Sequence, residues 1–561
     1  MRYLFLATVT ALLALSACGG QEPAETGPAD PARAVPDGAL MYLALEDPAA
    51  ILGQVDAYMA EGAPALGEGV ASEWVLEAVD CASFDEVSTR YGLDPHGRLI
   101  VFQKGMGNSF GLVVGVTDET AVWTNMEELG LQLQDGEPLD GQPVKTVALG
   151  GGFQMQMAVK RGVLMGAVSR PGLSEMVGLL DSTRASSPIP DLEPATVYMG
   201  MDLAAVAPIL SAQMPMIRQQ VMAGMEQSEE APPQAVRDMI GLYFDVFAVI
   251  LEQTSSIEWY MTLGPEKATS RMVAEFVPGS DLERLMAPVE VEDLSDMIPA
   301  GEIMVGRADM NPELGREITG AFAEGLGFEA DSTVMAIAEA FSTSSAFSMM
   351  APSEGNPFHM VAVYHVGTEE TLEAIGEGVA SMVGFASSML EGMPVELTEP
   401  EIVEIDGREY LTYGENVAMP APEEGGGMEF SMTFWLTLQD GYLYMESALE
   451  PMVLPQLLDG VWDGVTIAGS GRLDYPADYE MAFAMNLGAY MGAIMNLSPE
   501  SSDIPPEIVE AMSGSPLWVN AGADMQEGRT VCESSVDGSE VVSFVMNIVM
   551  LAGGQEGPPP Q

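Results

Sequence analysis

The sequence predicts an α+β fold, with antiparallel sheets, helices packed on one face, and an internal duplication into two similar halves. Two observations predict it. One strand–helix order recurs four times along the chain, and each recurrence closes with two adjacent strands that are typical of an antiparallel hairpin. Hydrophobic residues make up 47% of the 561 residues, which is enough for a large core and excludes global disorder. Hairpins separated by helices are typical of α+β sheets.

Each of the four repeated units opens with a short apolar strand that leads into a helix. The four opening strands are predicted at 39–45, 195–201, 302–308 and 479–485. A short polar side chain stands at each junction with the helix: Asp47, Asp202, Asp309 with Asn311, and Asn486. Such side chains accept hydrogen bonds from the first free backbone N–H groups of a helix, so they predict N-caps.

Each unit then closes with a predicted hairpin and a further helix start. The strand pairs are 99–104 with 110–116, 257–263 with 270–276, 346–350 with 358–366, and 517–521 with 529–535. The clearest helix between an opening strand and its hairpin is 234–252, where apolar residues including Ile240, Tyr243 and Phe247 recur at helical spacing.

A second element follows the first and third units, at 144–181 and 401–459. Both stretches alternate apolar and polar residues as antiparallel strands do, and both end in a predicted helix, at 171–180 and 449–458. The chain therefore divides into two predicted halves, 37–290 and 298–551, which meet at the acidic stretch 290–296. Residues 552–561 predict a disordered tail.

The first seventeen residues have the layout of a secretory signal peptide. Arg2 precedes an apolar run that ends at Leu15 and is too short to span a bilayer comfortably. The ending Leu15-Ser16-Ala17-Cys18 resembles the bacterial lipobox, which implies that Cys18 carries the lipid, including palmitate, as the first mature residue. An ordinary signal peptide that contains a cysteine is the alternative. Residues 18–36 are rich in Gly, Pro, Ala and acid, which favours the lipobox because it predicts a disordered tether.

The residue after Cys18 bears on location. Gly19 stands where many lipoproteins retained in the inner membrane have Asp, so the resemblance implies an outer-membrane address in the cell envelope. No second membrane span is predicted, because the most apolar helix, near 239–251, is short and carries Asp245.

The charge excludes several classes of partner. The chain has 84 acidic and 20 basic residues, a net charge of −64. Nucleic acid is excluded, since phosphate binding needs clustered Lys and Arg. Anionic headgroups are also opposed, so the acyl anchor must supply the membrane affinity. The charge is interpreted as adaptation to salt, with a cation-binding surface as the alternative, although no calcium-loop pattern occurs.

The cysteines and methionines predict no cofactor or metal site. Cys81 and Cys532 could form a disulfide in an oxidising envelope, or they could be two buried free thiols. The 42 methionines spread over core-facing positions, so they are interpreted as core filler rather than as a copper(I) site.

Two short motifs resemble an uncharacterised family of exported bacterial proteins, known only as a domain of unknown function. They are Pro36-Asp37-Gly38-Ala39-Leu40-Met41-Tyr42 and the turn Gly92-Leu93-Asp94-Pro95. The resemblance covers residues 36–181 best, and it implies no catalytic residues.

No pattern in the sequence predicts catalysis. The three histidines, His96, His359 and His365, show no metal-ligand spacing, and the nucleophile-elbow and phosphate-loop patterns are absent. We therefore expect a non-enzymatic, lipid-anchored scaffold or binding module for an envelope protein. A carrier of lipid or another hydrophobic ligand in a Met-rich cavity is the alternative, and an extracytoplasmic hydrolase is the third hypothesis.

Overall fold

The structure is a computed structural model and describes the chain from residue 29 to residue 553, with gaps. The described residues are 29–105, 110–126, 131–150, 153–182, 187–226, 234–325, 335, 343–351, 359–366, 371–389, 395–419, 428–497, 506–514 and 516–553. They fall into two compact units. Unit 1 is Met1–Val206, Ser255–Val273 and Asp537–Val542, and unit 2 is Ala207–Thr254, Ala274–Val536 and Ser543–Gln561.

Unit 1 is built on a ten-stranded sheet among its described residues. The strands are β1 (Met41–Glu46), β2 (Leu99–Gln103), β3 (Phe110–Gly115), β4 (Leu133–Asp135), β5 (Lys145–Gly150), β6 (Phe153–Lys160), β7 (Val163–Ala167), β8 (Thr196–Asp202), β9 (Thr254–Leu263) and β10 (Lys267–Phe276). Their spatial order is β4-β5-β6-β7-β3-β2-β1-β8-β9-β10. Neighbours from β4 to β9 are antiparallel.

The helices of the first half alternate with these strands. They are α1 (Pro48–Gly62), α2 (Val70–Ala78), α3 (Phe84–Tyr91), α4 (Glu119–Asn125), α5 (Arg170–Asp181), α6 (Leu203–Glu226) and α7 (Gln234–Gln253), with short 3-10 helices at Pro31–Ala34 and Pro64–Leu66. The helix predicted at 234–252 is therefore confirmed as α7. Apart from the first turn of α6, the residues of α6 and α7 belong to unit 2.

Unit 2 repeats the sheet of unit 1. Its strands are β11 (Met304–Asp309), β12 (Ser344–Met349), β13 (Met360–His365), β14 (Val395–Leu397), β15 (Glu401–Ile405), β16 (Arg408–Met419), β17 (Met428–Gln439), β18 (Tyr442–Ser447), β19 (Met481–Asn486), β20 (Trp518–Gln526) and β21 (Arg529–Asp537). All described pairs are antiparallel, in the order β16-β17-β18-β13-β12-β11-β19-β20-β21, and both β14 and β15 pair with β16. From β5 and β16 onward the two orders correspond strand for strand, with β1 in the place of β11 and β7 in that of β18, while β14 and β15 stand where unit 1 has β4 alone.

Eight helices complete the described part of the chain. They are α8 (Asp281–Leu285), α9 (Pro312–Gly325), α10 (Leu372–Met389), α11 (Leu454–Leu458), α12 (Ile467–Ser470), α13 (Leu487–Leu497), α14 (Pro506–Gly514) and α15 (Gly538–Gly553). The α+β class with antiparallel sheets is confirmed. The helix predicted at 449–458 begins only at Leu454, because the backbone before it is bound by the carboxylate of Glu446.

Helices pack on both faces of each sheet, whereas the sequence predicts them on one. In unit 1, Ile100 and Val113 face a core shared with α5, while Leu99 and Leu112 on the opposite face pack with α3 and α4. Unit 2 is arranged in the same way, with α10 on one face and α11 and α12 on the other. The difference arises because β2 and β3 are apolar at nearly every position, which is typical of a strand buried on both sides.

The polar residues predicted to cap the opening helices do so in the structure. Asp47, Asp202 and Asn486 each accept a hydrogen bond from the backbone N–H three residues ahead, at 2.9 to 3.2 Å. At the third of the four strand–helix junctions, Asn311 accepts from the Glu313 N–H at 3.0 Å. Asp309 instead accepts from the Glu292 N–H, so only one of the two predicted caps at that junction is used.

The predicted tether is too long at its C-terminal end. Residues 18–36 are predicted to be disordered, but residues 29–36 pack against the sheet of unit 1, and Ala32, Ala34 and Val35 are fully buried. We call residues 29–36 the strap. Alanine and proline are weak sequence signals of burial, and no periodicity marks a segment this short.

Unit 2 has an equivalent strap at 293–298, which overlaps the acidic stretch 290–296 that the sequence predicts as the joint between halves. Leu294 and Ile298 are buried in its core. Asp30 and Asp293 occupy matching places, five residues before Val35 and Ile298, and each faces a buried arginine. Asp30 Oδ1 lies 3.9 Å from Arg98 Nη1 and Asp293 Oδ2 lies 3.7 Å from Arg307 Nη1.

The compact units do not follow the predicted halves 37–290 and 298–551. Residues 207–254 and 274–290 come from the first half but cluster with unit 2, and residues 537–542 come from the second half but cluster with unit 1. The sequence predicts the repeat, but it cannot predict the compact unit to which each of these segments belongs. Local periodicity carries no information on which compact unit a long helical hairpin belongs to.

Candidate functional site

The cysteines singled out from the sequence do not form a site. Cys18 lies outside the described residues. Cys81 and Cys532 are half-buried free thiols in this structure. The disulfide between them stays a prediction. Burial raises the pKa of both thiols, and the nearby Arg90 opposes this rise at Cys81. Neither thiol therefore has the lowered pKa of a reactive cysteine.

Each of the three histidines contacts a carboxylate that the sequence does not mark as its partner. His96 Nδ1 lies 2.9 Å from Asp47 Oδ1 at the surface. His359 is buried, and its Nε2 lies 2.9 Å from Glu446 Oε1. His365 Nδ1 lies 2.5 Å from Glu292 Oε2. With 84 acidic residues in the chain, the sequence offered no means of choosing these partners.

Glu446 has a structural environment. Its side chain is fully buried on β18 and accepts hydrogen bonds from the backbone N–H groups of Met452, Val453 and Leu454, at 2.9 to 3.2 Å. A buried carboxylate is stable only when its oxygens accept hydrogen bonds. The three backbone N–H groups, together with the contact to His359, provide these partners. Glu446 therefore fixes the turn that leads into α11.

Glu292 joins three parts of unit 2. Besides the His365 contact, its Oε1 accepts from the Tyr442 hydroxyl at 2.7 Å, and its backbone N–H donates to Asp309 Oδ1 at 3.0 Å. The hydrogen bond with Glu292 raises the pKa of Tyr442, and burial raises the pKa of Asp309. The cluster ties the segment before β11 to the ends of β13 and β18. Among the described residues, no three His, Cys, Asp or Glu side chains are placed to hold a metal ion.

Unit 1 has a small pocket of about 280 Å³ beside the start of α5. Phe102, Phe110 and Met176 form its apolar walls. Lys104 and Glu175 also line it, and their side chains pair with each other at 2.5 Å. The pocket therefore offers a ligand little uncompensated charge.

The helix α7 of unit 2 exposes a row of large apolar side chains, which we call the α7 stripe. Their exposed fractions lie between 38% and 57%, highest at Tyr243 and next at Phe247, and the members are Tyr243, Val246, Phe247, Val249 and Ile250. Spacings of three and four residues bring Tyr243, Phe247 and Ile250 onto one side of the helix. The periodicity that predicted the helix is thus partly a surface feature.

The α7 stripe lines an open groove of about 430 Å³. Its walls are almost wholly apolar and include, besides stripe residues, Ile240 and Phe244. Ligand sites are commonly concave and apolar, and they fall within this range of volumes. All of the lining residues belong to α7, and the groove is open to solvent rather than enclosed.

Other contacts within unit 2 hold α7 in place. Leu242 and Leu251 are buried, and Arg218 of α6 binds Asp245 with Nη1 to Oδ1 at 2.8 Å. Gly241 packs closely against Arg218. A Cβ atom at position 241 would lie only 2.7 Å from the Arg218 guanidinium. At the C-terminal end, the carbonyl of Gln253 accepts from the Val277 N–H at 2.8 Å. The stripe is therefore presented by a helix that is fixed on its other sides.

Over the described residues, no helix has both the length and the apolar content needed to cross a bilayer.

Comparisons with known proteins identify no relatives in sequence. No family model matches the chain, and no curated protein matches it either. Among solved structures, crystal forms IV, III and I of TP0453 are similar at 10%, 11% and 10% sequence identity, with TM-scores of 0.24, 0.24 and 0.23. These alignments cover 48%, 47% and 48% of this chain and 89%, 90% and 90% of TP0453. Superpositions this poor bear on neither the fold nor the function of this chain.

Proposed function

We propose that this chain is a lipid-anchored envelope protein that binds a partner rather than catalysing a reaction, and that the α7 stripe is the binding surface. The observation that carries the proposal is the exposure of five large apolar side chains on one fixed helix. Single exposed apolar residues are normal on a protein surface, but a contiguous row of them marks an interaction site. Covering such a row gains about 25 cal/mol per Å² of apolar surface.

The anchor is the other part of the proposal. Leu15-Ser16-Ala17-Cys18 supplies the thiol that would be acylated, and Gly19 favours the outer membrane. Replacing Cys18 with serine should abolish incorporation of radiolabelled palmitate and release the protein from sedimenting envelopes. Unchanged labelling and sedimentation in Cys18→Ser would contradict the anchor.

The binding surface is tested by photo-crosslinking in intact cells. A photoreactive amino acid replaces Phe247 in the stripe or, as a matched control, Trp74 of α2, which is 71% exposed and lies in unit 1. We expect adducts of discrete protein mass from position 247 and not from position 74. The same adducts from both positions, or adducts from neither, would count against the α7 stripe.

A carrier of hydrophobic ligands is the second candidate, and the open groove of about 430 Å³ favours it. Native mass spectrometry of the delipidated protein separates the two functions. A co-purifying apolar molecule that disappears in Phe247→Ser would support the carrier, whereas a clean apo mass would favour the binding module.

A further inference from the structure

We infer that the partner of the α7 stripe is a cationic amphipathic α-helix, an inference that rests on the binding function proposed above. Three features of the surface lead to it, namely its apolar shape, its acidic border and the charge of the whole chain.

The shape of the surface suits a helix laid along it. Tyr243, Phe247 and Ile250 follow one another at intervals of four and three residues, and all three line the open groove. A partner helix with apolar residues at the same intervals can place them in such a groove, which is a recurring mode of peptide recognition. Its polar side would stay in water.

Acidic side chains border the stripe on the same helix. Asp245 and Glu252 are both exposed and lie four residues before and three residues after Val249, so helical spacing places them beside Val249, at one edge of the stripe. Asp245 pairs with Arg218, whereas Glu252 forms no ion pair with another described residue. A lysine or arginine at the edge of a partner's apolar face would therefore meet an acidic border.

The charge of the chain decides between the classes of occupant. A second copy brings the same net charge of −64 and only 20 basic residues, so two copies repel each other. An anionic bilayer is repelled for the same reason. A cationic helix is attracted from a distance and gains on-rate as well as affinity from that attraction.

The test uses the delipidated full chain and two synthetic helices with identical leucine faces. One peptide carries lysine at every polar position and the other carries glutamate, and fluorescence anisotropy measures their binding. The lysine peptide should bind, and Phe247→Ser with Ile250→Ser should weaken it by about tenfold or more, as loss of buried apolar anchors does. Raising NaCl to about 0.5 M should weaken it further, because salt screens the charges. The double substitution leaves the net charge unchanged, and Val461→Ser, at another exposed apolar residue of unit 2, is its matched control.

Several outcomes would overturn the inference. Equal or tighter binding of the glutamate peptide would remove the charge argument. Unchanged affinity of the lysine peptide in the double variant would show adsorption to the acidic surface alone. A stripe-dependent dimer in light scattering, or stripe-dependent binding to phosphatidylcholine vesicles without peptide binding, would assign the surface to another occupant. If crosslinking at position 247 succeeds while the lysine peptide fails, the binding function stands and the cationic partner falls.

Discussion

The carboxylate of Glu446 lies fully buried and is surrounded by hydrogen-bond donors. We expect Glu446→Ala to lower the free energy of unfolding by about 3 kcal/mol or more, because it leaves His359 and three backbone N–H groups without their acceptor. Urea unfolding followed by tryptophan fluorescence measures this, since Trp435 donates to the carbonyl of Ala448 in the same turn.

Glu450 provides the matched control for that change. It is an exposed glutamate a few residues away, so Glu450→Ala should stay within about 0.5 kcal/mol of the natural chain. Equal effects of the two substitutions would show that the Glu446 contacts contribute nothing specific.

The raised pKa of Asp309 predicts that the free energy of unfolding depends on pH. Burial raises its pKa above the ordinary value of 3.8, so the folded chain holds this proton more tightly than the unfolded chain. Its contribution to stability is therefore full below 3.8 and is lost as the pH rises through the folded pKa. Asparagine at this position cannot ionise and can still accept from the Glu292 N–H.

The natural chain should consequently lose stability relative to Asp309→Asn as the pH rises from below 3.8 through the raised folded pKa of Asp309. Urea titrations at several pH values measure the difference, and Asp478→Asn, at an exposed aspartate, should run parallel to the natural chain. A constant difference for Asp309→Asn would refute the assignment.

The two cysteines give a simple chemical prediction. In the Cys18→Ser variant, Cys81 and Cys532 should both react with a thiol reagent after unfolding, and slowly before it, since burial raises the pKa of each thiol. Fewer than two reactive thiols in the unfolded, unreduced chain would reveal a disulfide.

Residues whose role is local could be predicted from the sequence, and residues whose role is tertiary could not. Asp47, Asp202 and Asn486 act on the backbone three residues ahead, so their position in the sequence states their function. Glu446 meets His359 across 87 residues, and nothing in a chain with so many carboxylates marks that pair.

The strap is the element where sequence and structure differ most. Removing residues up to 28 should leave the free energy of unfolding unchanged, whereas removing residues up to 36 should lower it by at least about 3 kcal/mol, because Val35 leaves the core and Arg98 loses Asp30. Thermal unfolding of the two truncated chains measures this. If both truncations are equally stable, the strap is part of the tether after all.

The helix α7 was predicted correctly, but the exposure of its apolar side chains was not. Apolar periodicity reports that one side of a helix avoids water, and it does not report whether this chain or a partner covers that side. In the structure Leu242 and Leu251 are covered and Tyr243 and Phe247 are not.

At the scale of the whole molecule, the net charge of −64 predicts stabilisation by salt. Self-repulsion in the folded state is screened as ionic strength rises, so the melting temperature should increase by about 5 °C or more between low salt and 0.5 M NaCl. Screening depends on ionic strength alone, so KCl should act like NaCl. A rise with only one cation would instead support a dedicated cation site.

The duplicated sheet is the part of the whole that the sequence described best. The four repeated segments have the same order of strands and helices, and the two sheets have the same order of their main strands. Hairpins are set by local turns and strand patterns, so the sequence can predict them. The division into compact units was missed, since it depends on where the chain between β8 and β9 packs.

The most direct test of the binding surface is the accessibility of the α7 stripe in the envelope. Phe247→Cys is introduced into a chain with serine at Cys81 and Cys532, and maleimide labelling rates are compared between purified protein and isolated envelopes. We predict rapid labelling of the purified protein and at least about tenfold slower labelling in envelopes, because a bound partner excludes the reagent. Trp74→Cys should label at the same rate in both. Equal rates at position 247 would contradict the proposal that the stripe is occupied.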